Sequence, residues 1–166
     1  MGAINNAFNQ AAGAVAGASI AINHAKETDE SKMNVAEHSA LVARNQASSA
    51  ESEYNKAFAE NAYATNEKGK TESLHLRSVK AENKFNEAKA ALAKAEKRKN
   101  ASSKTVQKKL DDVSAARSAA DALRVKIEAL KAMSERAAEQ RAAADKATQL
   151  AERAQQRYQS KWGGIK

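Results

Sequence analysis

The stretch SALVARNQASSAESEYNKAFAENA, residues 39–62, decides how this chain folds. Through it, and just before it, Ala36, Ala40, Ala43, Ala47, Ala50, Tyr54, Ala57 and Asn61 follow alternating steps of four and three. That spacing places one stripe of small side chains along a helix and calls for left-handed packing against another helix. Polar and charged residues fill most of the remaining positions, and no glycine or proline interrupts them.

Working outward, the same signal repeats. Leu74, Ser78, Ala81, Phe85, Ala88, Leu92 and Ala95 form a second run, and Ala116, Ala120, Leu123, Ile127, Leu130, Ser134 and Ala137 a third. Val106, Leu110 and Val113 lead into the third slightly out of phase. The chain has no proline, and glycine occurs only at 2, 13, 17, 69, 163 and 164. The strongest helix breakers are therefore absent from most of its length. The expected fold class is all-α: extended long helices forming alanine-rich coiled-coil hairpins, assembled into an oligomeric bundle or tube.

Composition supports thin packing over a thick core. Of 166 residues, 40 are alanine and only 4% are aromatic. One buried methyl-sized group is worth only about 0.8 kcal/mol. Small side chains instead let helix backbones approach closely. A self-associating chain is the default expectation, because long helices of this kind leave seams to be covered by another copy.

Two breaks are expected to divide the body. Asn66-Glu67-Lys68-Gly69 places a glycine where a helix C-terminus wants one, and Ser102 or Ser103 suits the N-cap of a returning helix. Helices are expected near 26–67, 71–99 and 104–161, with a flexible tail over 162–166. Residues 1–25 contain no Asp, Glu, Lys or Arg and form an uncharged Gly/Ala-rich head. The net charge is +8, unevenly spread. Residues 26–69 hold 5 basic and 8 acidic side chains, residues 70–109 hold 12 and 4, and residues 110–166 hold 11 and 8. The acidic first segment complements the basic second one, which bears on pairing and register more than on affinity.

Three features are candidates for function. In the head, Ile4, Phe8, Gly13, Val15, Gly17, Ile20 and Ile22 are expected to contact a membrane or an assembly partner. Gly13 and Gly17 have the spacing that lets two helices touch backbone to backbone. No positive segment precedes the apolar part, as a secretory signal would require. Around the second break, Lys94, Lys97, Arg98, Lys99, Lys104, Lys108 and Lys109 are expected to converge on one end of a hairpin. Such cations suit phosphate contacts that do not depend on sequence. No aromatic residue interleaves with them to stack on bases. Near the C-terminus, Trp162, the only tryptophan, is expected to dock on a partner. His24, His38 and His75 form no recognisable ligand set, and no HExxH, P-loop or nucleophile elbow occurs. The expectation is a non-enzymatic protein without cofactor or metal.

The apolar head of residues 2–25, followed by Ala/Gln/Asn/Glu-rich helices such as 39–62, resembles the small internal virion proteins of T7-like and other short-tailed phages. The resemblance is one of layout. It implies residence inside the virion, with ejection into the host envelope alongside the DNA. The implied partners are further copies of itself and portal or internal core proteins, with membrane and DNA contacts to follow. A cytoplasmic nucleic-acid-binding adaptor is the alternative. Residues 84–123 are also similar to the coiled-coil hairpin of colicin-type bacteriocins, whose glycine-rich arm and toxic domain have no counterpart in these residues.

Overall fold

The computed structural model describes residues 2–98 and 100–164, with side chains from residue 14 onward. The fold is all-α apart from one small hairpin. Helix α1 runs Gly2–Asn61, strands β1 (Tyr63–Thr65) and β2 (Thr71–Ser73) follow, then helices α2 (Leu74–Glu96) and α3 (Ser103–Trp162). By their internal contacts the residues form two units. One comprises Met1–Ser48 with Glu139–Lys166, the other Ser49–Ala138, and α1 and α3 each contribute to both.

In the first unit the inward stripe of α1 is Asp29, Met33, Ala36, Ala40, Ala43 and Ala47, and that of α3 is Ala144, Ala147, Ala151, Ala154, Tyr158 and Trp162. The two segments run antiparallel. Asp29 bonds to Lys161 and Trp162, and Arg44 Nε donates to Thr148 Oγ1 at 3.0 Å. In the second unit all seven α2 positions of the expected run, Leu74 through Ala95, are buried or half-buried. The matching α1 positions Ala50, Tyr54, Ala57 and Asn61 are also at least half-buried. Along α3 the stripe is Val106, Lys109, Val113, Ala116, Ala120, Leu123, Ile127, Leu130, Met133 and Ala137.

Two expected seam positions are corrected. Leu110 is 48% exposed and Ser134 is exposed, while Lys109 and Met133 take the inward places. The physical reason at 133 is a local step of three where a step of four was expected, which brings the flexible methionine inward in place of a hydroxyl. Nearly every buried apolar side chain is alanine; Leu74 and Trp162 are the exceptions among the described residues. No large side chain among them is fully enclosed. Among the described residues the packed stripes are lined mostly by alanine.

The boundaries differ from expectation in three places. The uncharged head is continuous with α1, which crosses Ala25 and Lys26 without a break. Loss of charge changes solubility but not helix propensity, and nothing there caps or breaks a helix. Secondly, α1 ends at Asn61, not near residue 67, and Gly69 is not a helix cap. Residues 66–70 close a β-hairpin in which Tyr63 faces Ser73, Ala64 faces Glu72 and Thr65 faces Thr71. Gly69 N donates to Asn66 O at 2.9 Å, Asn66 N donates to Lys70 O at 2.8 Å, and Gly69 has φ +72°. This is a type I turn followed by a glycine bulge, a common three-residue hairpin connection. Asn66 Oδ1 accepts from the amides of Lys68 and Lys70, both at 3.0 Å. Thirdly, the last helix includes Trp162, and Gly163 N donates back to Gln159 O at 2.7 Å, so the expected flexible tail does not begin at 162. Residues 165 and 166 lie outside the described residues.

Each helix after the hairpin starts on a serine. Ser73 Oγ accepts from Leu76 N at 3.2 Å, and Ser102 Oγ accepts from Thr105 N at 3.2 Å. Each satisfies a first-turn amide that has no partner within the helix.

Candidate assembly and contact surfaces

The described side chains of the head, from Ala14 onward, are exposed through His24. The last residue of α3, Trp162, pairs with Asp29, so α1 residues before about 25 lie past the end of their helical partner. Val15 and Ile20 are each 70% exposed, Ile22 is 51% exposed, and Gly17 has open space where a Cβ would project. Val15 and Ile22 are two turns apart on one face, whereas Ile20 points elsewhere. Residues 14–22 are thus small or apolar all round, a pattern that ordinarily belongs to a covered helix. Among the described residues no helix is long and apolar enough to cross a membrane. Ile4, Phe8 and Gly13, expected to share this surface, lie outside the residues whose side chains are described.

Six of the seven basic residues are described, and they flank the turn between α2 and α3. Helix α2 ends at Glu96, the chain turns through residues 97–102, and α3 starts at Ser103. Arg98 N donates to Ala95 O at 3.2 Å and Ala101 N to Arg98 O at 3.1 Å, which tightens the turn. Lys94, Lys97, Arg98, Lys104 and Lys108 are exposed around it, and Lys109 is half-buried with Asp112 3.8 Å from its ammonium. Lys99 lies outside the described residues.

Trp162 occupies a different place from the one its sequence position suggested. It is only 8% exposed, and its indole N–H donates to Asp29 Oδ2 at 3.1 Å. The same oxygen accepts from Lys161 Nζ at 2.6 Å, and that ammonium lies 4.8 Å from the indole centroid. The expected role in docking a partner is corrected accordingly: the indole is used to fasten the end of α3 to α1. Bonds from the Lys161 ammonium and the Trp162 indole hold the Asp29 carboxyl below its ordinary pKa. One turn away, burial pushes the Tyr158 phenol up, with the charge of Glu30 and a bond to it acting the same way.

Two further features emerge only in the fold. One is an aromatic cluster where α1 meets the hairpin. Tyr54 and Phe58 have ring centroids 5.9 Å apart, and Phe58 and Tyr63 meet edge to face at 6.5 Å. With Leu74, Ile127 and Leu130 they line an open groove. The other is Glu72, 9% exposed, which accepts from Asn66 Nδ2 at 2.6 Å and forms an ion pair with Lys80. Bonds from Lys80 and Asn66 hold its carboxyl below the ordinary range. This pair ties the hairpin to α2. The signal for both was the hairpin itself, legible in Tyr-Ala-Thr and Thr-Glu-Ser flanking Asn-x-x-Gly.

His24 and His38 are both exposed, and His75 borders the aromatic groove. Among the described residues no group of three His, Cys, Asp or Glu side chains could hold a metal ion. No family model, curated protein or solved structure matches the chain.

Proposed function

We propose that this chain is a non-enzymatic structural component of a phage particle that associates through its helices and assists delivery of DNA across the host envelope. The observation that supports this most is the exposed stretch 14–24: an uncharged part of α1 with exposed Val15, Ile20 and Ile22 past the end of its paired helix. Water is a poor environment for such a surface, at roughly 25 cal/mol per Å² of apolar area. Lipid, or the same segment of another copy, covers it without charges to desolvate. The alanine seams add to this, since helix pairs without an enclosed core gain from further helices laid alongside. The resemblance in layout to internal virion proteins supplies the setting, with portal or core proteins as the other partners.

The test compares the full chain with a variant lacking residues 2–25 in co-flotation with neutral phosphatidylcholine vesicles, alongside sedimentation velocity without lipid. The full chain is expected to float and to form higher oligomers, and the truncated one to lose flotation. Equal flotation of both removes the envelope role. A full chain that sediments as a monomer at all concentrations removes the assembly role.

A further inference from the structure

The turn between α2 and α3 gathers exposed cations without acidic partners among the described residues. Several cations elsewhere sit beside acids. Lys80 pairs with Glu72, Arg117 and Arg124 with Asp121, Lys131 with Glu135 and Lys161 with Asp29. Around the turn, Lys94, Lys97, Arg98, Lys104 and Lys108 are all exposed and none has an acidic partner among the described residues. Lys109 alone has one, at the long distance of 3.8 Å. Helix geometry concentrates these charges. Lys94 lies in the last turn of α2, Lys97 is its C-cap, and Lys104 and Lys108 lie in the first two turns of α3. At 1.5 Å per residue all five fall within about 10 Å of the turn along the helix direction.

Such crowding of like charge is unfavourable in isolation and becomes favourable against a dense row of anions. The kind of anion follows from what surrounds the cations. No exposed large apolar side chain occurs between 94 and 109, the nearest being Leu110. An anionic bilayer is normally held by cations together with an apolar anchor, and that anchor is missing. No aromatic ring stands there to stack on an unpaired base. What remains is a ligand that needs charge alone, presented at close and regular spacing.

We infer that the α2–α3 turn is a docking surface for the phosphate backbone of duplex DNA, bound without regard to sequence through Lys94, Lys97, Arg98, Lys104 and Lys108. The choice of DNA as the phosphate polymer rests on the delivery role proposed above. The charge geometry does not depend on it. Duplex DNA carries one negative charge per about 1.7 Å of axis, so a surface of this size meets several phosphates at once.

The experiment is fluorescence anisotropy of the full chain, head intact, with a labelled duplex of random sequence over a salt series. With about three to five contacts, affinity falls roughly 40- to 500-fold for a fourfold rise in salt. The variant Lys97→Gln/Arg98→Gln/Lys104→Gln is expected to flatten the slope of log affinity against log salt by about 2–3. A control, Lys126→Gln/Arg136→Gln/Lys146→Gln, removes the same charge from exposed faces of α3 and is expected to leave the slope nearly unchanged. Circular dichroism of both variants verifies that the helices remain. Equal slopes for the two triple variants overturn the proposal, as does absence of duplex binding at low salt. Binding of phosphatidylglycerol vesicles through the same three residues without duplex binding overturns it in favour of a lipid surface. Loss of flotation on neutral vesicles concerns the head alone and leaves this result standing.

Discussion

Gly69 adopts φ +72° because the bulge after a type I turn needs a left-handed residue there, and a side chain raises the cost of that conformation by about 1–2 kcal/mol. Gly69→Ala is therefore expected to destabilise the second unit by about that amount in thermal melts, and Gly69→Asn by less, since asparagine tolerates the region better. Asp29 is informative in another way. Its carboxyl is held down in the folded chain by Lys161 and Trp162. A depressed folded value means the stabilisation is present above the ordinary carboxylate range and disappears as pH falls through the lowered one. Emission from Trp162, the only tryptophan, is expected to stay constant from neutral pH to about pH 4 and then shift to the red. Asp29→Asn should bring the red-shifted signal at neutral pH. An unchanged spectrum in that variant would show that the indole is held by packing alone.

At the scale of elements, the seams explain why alanine dominates. Ala120 is 5% exposed on the inward stripe of α3. Ala120→Leu puts three more carbons into a line contact and is expected to cost about 1–3 kcal/mol, read as a lowered melting temperature. An increase in stability would mean that the helices separate freely and that close approach is not what holds them. The serine caps give an independent check. Ser102→Ala is expected to cost about 1 kcal/mol and Ser102→Asp to restore it. The start of α3 and seam positions 36–61 and 74–95 were legible from residue spacing, whereas the starts of α1 and α2 were not. The hairpin is hard to read from spacing because its strands are three residues each. Glycine after a long helical run also reads equally well as a cap.

For the whole molecule, expected behaviour turns on surfaces left uncovered. Thermal stability should rise with protein concentration, because association stabilises by mass action, and deletion of residues 2–25 should weaken that dependence. Constant melting temperature over a hundredfold dilution would count against self-association.

The all-α class, the inward stripes and the gathering of lysines at one turn follow from residue order, because helical periodicity is a local property and neighbours three and four apart must share a face. Other features required the folded chain. Burial of Trp162 against Asp29 joins residues 133 positions apart, and no local rule anticipates such a pairing. The same holds for exposure of residues 14–24, which lie beyond the point where α3 ends opposite Asp29. Where a partner helix ends is set by the register between distant segments, and register is decided by packing.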